Sequence, residues 1–358
     1  MIAQPPAASR GQDRRDHARI HRRAMASSLE QLQQETGGNF EALLRARERT
    51  AARIAERRRL LETLDVDPDA TVVLMGSWGR RELTSSSDDD YMVLVRGERG
   101  PAPPRPTVGA VARAFGRDPG GFTAPGREGI FEDVVHSADL VQRIGLDDDS
   151  NTNLTRRMLL MLESVAATNP EVLEETRRDV IDDYLSDSVK AFRPPRFLLN
   201  DLVRYWRTIG VDFVAKDRKR GGEGWGLRNA KLRTSRKLLF ASGLLPVLRC
   251  QELTAAEIPG FLAAQLALPP ADRVAAAFLR YNALVEGAAV FGAYDRFLQL
   301  IDDADARAEL RALPSRAAAD ASPAFREVAQ LGAMIDRGLL SLLFGEELRT
   351  TTQNYAIF

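Results

Sequence analysis

Two aspartates, Asp88 and Asp90, stand one residue apart directly before an apolar run at 91–95. Upstream lies a Gly76-Ser77 pair, separated from Asp88 by ten residues and preceded by a second apolar run at 71–75. In extended backbone, residues i and i+2 point to the same side. Asp88 and Asp90 can therefore face one divalent cation while Asp89 points away. Two carboxylates held this close repel each other unless a cation sits between them. Mg²⁺ (or Mn²⁺) suits the pair, because Mg²⁺ takes one or two carboxylates and fills its shell with water and phosphate. The Gly76-Ser77 turn offers backbone amides and a hydroxyl at a helix start, where phosphate oxygens are well received. Arg80 adds positive charge to the same turn. Another acidic triplet, Asp147-Asp148-Asp149, has no such context and reads as a solvated loop.

These residues need a strand–turn–strand frame. Residues 71–75 and 91–95 read as β-strands, with a short helix at 78–83 and a polar loop between them. A third strand is expected at 130–135. Before this frame, apolar residues at helical spacing predict two helices within 26–64, broken at Gly37-Gly38-Asn39. After it the signal is helical. Residues 155–164, 197–217 and 226–241 are expected helices, and Asn169-Pro170 reads as a helix start with Asn as the cap. The fold class expected is α+β: a small mixed sheet followed by a larger all-helical domain.

The stretch Gly-Ser-x-Gly-Arg-x-Glu-Leu-x-x-x-Ser-Asp-x-Asp at 76–90 resembles the active-site motif of the DNA polymerase β-like nucleotidyltransferase superfamily. It is closest to the catalytic domain of PII-protein uridylyltransferases and related nucleotidyltransferases. The motif covers about 20 residues, and a weaker likeness extends over 70–240. Gly-Arg-Gly-Glu-Leu is typical of that group; Arg81 stands where its second Gly would be. The resemblance implies a third carboxylate on the strand Ile130-Phe131-Glu132-Asp133-Val134-Val135-His136-Ser137. Asp133 is the match, with Glu132 as the alternative, since neighbours on a strand face opposite sides. His136 is expected to be a structural hydrogen-bonder rather than a general base.

The implied reaction is transfer of NMP from an NTP to an acceptor, with pyrophosphate released. The acceptor is a protein, an RNA or a small molecule. On this reading the catalytic and metal-binding acids are Asp88, Asp90 and Asp133. The expected nucleotide contacts are Gly76, Ser77 and Arg80. PII itself is not the expected acceptor, because those enzymes carry a His-Asp phosphohydrolase domain and further small-molecule-binding domains that this chain is too short to hold. The alternatives are a nucleotide-binding or regulatory module on the same fold, and an interaction protein with a vestigial motif. The expected order is a mobile basic tail at 1–25, helices at 26–65, the catalytic domain at 66–150 and the helical domain at 151–358.

Three cations in the helical half fall on apolar helix faces. A 100° wheel places Lys216 and Asp212 beside Leu198, Leu202, Tyr205, Ile209 and Phe213. It places Lys231 beside Leu227 and Leu238, with Arg228 close by. An unpaired charge on an inward face is costly, so Lys216, Arg228 and Lys231 are expected to bind nucleotide or to pair with acids. Arg204, Arg207, Arg233, Arg236 and Lys237 point elsewhere on the same wheels.

Composition bounds the rest. The 358 residues carry 50 Lys+Arg and 50 Asp+Glu, so bulk charge is not what would hold nucleic acid. A single cysteine, Cys250, excludes a disulfide framework and a thiolate metal cage. The histidines, His17, His21 and His136, leave little for His-based metal sites or triads; the i, i+4 pair His17/His21 lacks a third ligand. No apolar run reaches the length that spans a bilayer, and residues 1–23 lack the apolar core of a secretory signal. The expected setting is cytoplasmic, without membrane association.

Overall fold

Two buried apolar strands run antiparallel, and this brings the two halves of the Gly-Ser/Asp-x-Asp stretch together. The computed structural model describes residues 26–101, 103–118, 121–124, 130–131, 133–186 and 189–357. The expected tail at 1–25, with His17 and His21, lies outside the described residues, as does Glu132. Strand β1 (Ala70–Met75) is buried along its whole length, and β2 (Tyr91–Val95) pairs with it so that Leu74 faces Tyr91. The Met75 amide donates to the Asp90 carbonyl at 2.9 Å. The turn leaving β1 and the aspartates entering β2 thus share one end of the sheet.

The sheet has four strands in the order β3-β2-β1-β4. Strand β3 (Val134–His136) is parallel to β2, and β4 (Ser164–Ala166) is antiparallel to β1. Strand β3 starts later than the expected 130–135. Strand β4 lies where only helix was expected, on the far side of residue 150. It is three residues long, too short for an alternation pattern to register.

Helices surround this sheet. In chain order they are α1 (Ser28–Thr36), α2 (Glu41–Leu61), α3 (Ser77–Arg80), α4 (Val108–Phe115), α5 (Ser137–Val141), α6 (Asn151–Leu162), α7 (Pro170–Leu185) and α8 (Arg196–Arg220). Then follow α9 (Trp225–Arg233), α10 (Ser235–Arg249), α11 (Ile258–Ala267), α12 (Pro270–Arg280), α13 (Leu284–Asp302) and α14 (Ala304–Ala312). The longest of those remaining is Pro323–Leu343. Ser27 and Glu30 close a capping box on α1, and Gly37 ends it in the left-handed region at φ 64°. Asn169 makes no cap bond to α7. Its side-chain amide instead donates to the carbonyls of Asp67 and Ala70 and so ties down the start of β1.

The two faces of the sheet belong to different cores. Tyr91, Val93 and Val72 pack with Ile54 of α2, Trp78 and Phe115. Met92, Leu94 and Met75 pack into the large core made by the helical half, with Leu160, Tyr205 and Leu239. The helical half is therefore seated directly on one face of the sheet. Trp225 is a buried anchor in that half, packed against Phe325 and Phe213.

Candidate active site

Gly76 begins the site because only glycine suits it. Its φ of 63° is in the region that side chains resist, and a Cβ there would meet Asp90 Oδ2 at 3.0 Å. Helix α3 follows at once, leaving its first amides without intrahelical partners beside Ser77. Gly79, one turn on, lies flat on β4: a Cβ would stand 2.0 Å from the Glu163 carbonyl carbon. Trp78 is buried, and its indole N–H donates to the Asp88 carbonyl at 3.2 Å, locking the aspartate loop to the turn.

The alternation expected for the three aspartates is present. Asp89 turns to the α2 face, where it is buried and accepts from Arg57 Nη2 at 3.0 and 3.1 Å and from the Thr123 amide at 2.9 Å. Arg57 is itself buried, stacks over Phe115 and also pairs with Asp118 at 2.5 Å. Asp88 and Asp90 turn the other way into a pocket of about 70 Å³, lined also by Gly76, Ser77, Arg80, Lys231, Arg236 and Arg307. Neither carboxylate is in an ion pair among the described residues.

Under the pocket floor runs a network of opposite character. Arg80 donates to both Glu82 (2.9 Å) and Glu163. Arg236 donates to Glu163 at 2.6 Å, and Tyr294 Oη to Glu82 at 2.7 Å. Arg236 comes from α10 and Tyr294 from α13, so the helical half completes the site that the strands begin. Glu163 was not expected. Its place follows from β4, because Ser164 pairs with Met75 and the Gly76 amide then donates to the Glu163 carbonyl at 3.1 Å.

Arg236 corrects the helical wheel. One helix at 226–241 would send it away from Lys231. The chain instead breaks at Thr234 (φ −123°, ψ −87°), between α9 and α10. The break resets the phase, and both side chains enter the pocket. Asp149 is a second correction: it is not solvated but buried, and pairs with Arg157 at 2.7 Å.

Lys216 and Arg228 line an adjoining pocket of about 210 Å³ that shares Lys231 and Arg236 with the first. Ile130, Phe131, Leu159, Ile209 and Phe213 form its apolar wall. Arg228 is drawn toward Asp217 at 3.2 Å. Asp133 is not brought to Asp88 and Asp90. The parallel register sets it beside Met92, two residues beyond Asp90 and so roughly 7 Å further along the strand. Its half-exposed carboxylate accepts from Arg156 Nη2 at 2.5 Å. His136 sits at the far end of β3, its Nδ1 buried without a hydrogen-bond partner among the described residues.

The electrostatics follow from these positions. Burial, then the charge of Asp88, push the Asp90 carboxyl up to about 7, against the pull of Arg236. Burial, then Arg307, Arg236 and Arg80, bring the Lys231 ammonium down to about 8, opposed by Asp88. Burial alone would raise Glu163, but Arg236 and Arg80 outweigh it and hold this carboxyl below its ordinary value. Asp88 and Asp90 thus face each other without a cation in contact among the described residues, and burial with this repulsion keeps a proton on Asp90 up to about pH 7. Two carboxylates with open lone pairs fit a hard cation that draws its other ligands from water and phosphate. Among the described residues, no group of three or more His, Cys, Asp or Glu side chains is arranged to enclose a metal.

No protein-family model matches the chain, and no significant match is found among curated proteins. No described helix is long and apolar enough to cross a membrane.

Proposed function

We propose that this chain is a metal-dependent nucleotidyltransferase that moves NMP from an NTP to an acceptor hydroxyl or other nucleophile and releases pyrophosphate. One observation carries the reading: an acid pair without a cation in contact among the described residues, Asp88 and Asp90, shares a pocket with a Gly-Ser turn and the cations Lys231 and Arg307. That is the charge pattern a metal-bound triphosphate complements.

Asp88 and Asp90 would hold Mg²⁺ or Mn²⁺, which supplies Lewis-acid polarisation of the phosphoryl oxygens. Ser77 and the first amides of α3 receive phosphate oxygens. Lys231 and Arg307 offset the charge of the leaving pyrophosphate. Arg80 and Arg236 are held by Glu82 and Glu163 and so orient the pocket wall. The acceptor atom forms a bond to the α-phosphorus and gives up its proton to solvent, the bond from that phosphorus to the α,β-bridging oxygen breaks, and pyrophosphate leaves with the electron pair. Lys216, Arg228 and the apolar wall of the adjoining pocket offer room for the nucleoside. A cytoplasmic location, where NTP and Mg²⁺ are plentiful, fits this reading.

A specific observation favours a second reading, a nucleotide-binding module without transfer activity. Asp133 is tied to Arg156 and Glu163 is neutralised by two arginines, so neither is free to act as a third acid. Incubation with each α-labelled NTP, Mg²⁺ and cell extract separates the two. Label covalently retained on an acceptor, and lost in Asp88→Asn, supports the transferase. Saturable nucleotide binding with no transferred label supports the module.

A further inference from the structure

A cavity of about 500 Å³ lies on the opposite side of α3 from the acid pair. Four arginines line it: Arg58, Arg81, Arg177 and, exposed at the rim, Arg178. Arg58 donates to the Ala166 carbonyl at 3.1 Å. Arg177 donates to the carbonyls of Leu160 and Ser164 at 2.9 and 2.8 Å. The Arg81 side chain makes no hydrogen bond or ion pair among the described residues. These are partial satisfactions: carbonyls orient a guanidinium without neutralising it. Glu174, exposed at the rim, is the one carboxylate among the described lining residues. The fully buried Arg57 and Arg157 are matched by acids, whereas Arg273, like Arg177, is held by backbone carbonyls.

Arg81 sharpens the contrast. It sits at φ 63°, ψ 41°, a left-handed conformation that costs a branched backbone energy and that glycine takes freely. The strain directs its charged side chain into a cavity where Arg58 already repels it. Burial, then Arg58 and Arg47, lower its guanidinium below the ordinary value, and burial brings Arg177 down to about 10. The rest of the wall is apolar, with Leu173 and Ile181 of α7 and Ala267 at the end of α11.

We infer that this cavity is a binding site for a small organic anion: a phosphate or carboxylate held by Arg58, Arg81 and Arg177, carrying an apolar body that lies on Leu173, Ile181 and Ala267. The site stands apart from the acid pair, and its existence does not depend on the proposed reaction.

The test is calorimetric titration of the full chain with hexyl phosphate, hexanoate and inorganic phosphate. Two variants accompany it. Arg81→Gly removes one cation and suits the backbone. Ala267→Trp fills the cavity from an exposed position. The expected result is saturable 1:1 binding of hexyl phosphate or hexanoate, weakened about 10-fold or more by each variant, as loss of a charged hydrogen bond or of the space would require. Whichever of the two binds more tightly identifies the head group as phosphate or carboxylate. No saturable binding of either, or binding unchanged in both variants, overturns the site. Inorganic phosphate binding as tightly as hexyl phosphate overturns the apolar body.

Discussion

Two pairs of carboxylates meet at the same end of the sheet and are treated in opposite ways. Glu82 and Glu163 are buried, Glu82 in contact with Arg80 and the Tyr294 hydroxyl and Glu163 with Arg80 and Arg236. Asp88 and Asp90 lie a few residues away on the pocket side and receive no cation in contact. The first pair joins the strands to the helical half. The second has no such partner among the described residues. A carboxylate's role here is thus read from what neutralises it rather than from its sequence neighbourhood, and Asp89, between two open acids, belongs with the structural ones.

This contrast can be broken from the structural side first. Glu163→Gln should cost about 3–5 kcal/mol of stability, because it takes the carboxylate from Arg236 and leaves Arg80 with Glu82 alone. Chemical denaturation would show it, and a cost below about 1 kcal/mol would mean the network is not load-sharing. Asp89→Asn should cost about 2–3 kcal/mol, somewhat less because Arg57 keeps Asp118. Its nucleotide affinity should stay at the wild-type value, and a loss of that affinity would place Asp89 with the open pair.

The open pair should respond with the opposite sign. The folded-state Asp90 carboxyl is raised from 3.8 to about 7. A raised acid contributes its stability fully below its unfolded value and loses it as pH climbs through the folded one. Without divalent cation, wild type should therefore weaken relative to Asp90→Asn between about pH 4 and pH 7. Above pH 7 the variant should be more stable by about 1–2 kcal/mol. Melting curves across that range check it, and a variant less stable at pH 8 would contradict the picture. The smallest effect belongs to Arg81→Gly, which relieves the positive φ and the repulsion from Arg58. It should gain about 1 kcal/mol in melting experiments.

Much of this was legible in the sequence wherever a local pattern was long enough. The apolar runs before Gly76 and after Asp90 announced the strands, and period-two alternation separated Asp89 from its neighbours. The helical wheel brought Lys231 to the pocket, because Leu227 and Leu238 mark its face. What stayed hidden depended on contacts between distant segments. Glu163 gains its place from a three-residue strand that exists only because β1 offers it an edge. Arg236 was misdirected by a wheel drawn through Thr234, where a β-branched residue followed by Ser235 was the available hint of a break. Arg57 looks like one more cation in a polar helix until Asp89, Asp118 and Phe115 close around it. For Asp133 the strand was legible but the register was not: it stands beside Met92, outside the pocket lining, and pairs with Arg156. The sheet followed by helices was readable from the change in periodicity. That the two halves share one core through Met75, Met92 and Leu94 was not.

The central claim is that Asp88 and Asp90 form a cation-dependent nucleotide site. Its most direct test is calorimetric titration of each of the four NTPs into wild type, Asp88→Asn and Asp90→Asn, with Mg²⁺ and with EDTA. The account predicts that wild type binds at least one NTP about 10-fold or more tightly with Mg²⁺, and that both variants lose this dependence while remaining folded. Affinity that is the same with EDTA, or a Mg²⁺ dependence that survives in both variants, would contradict it.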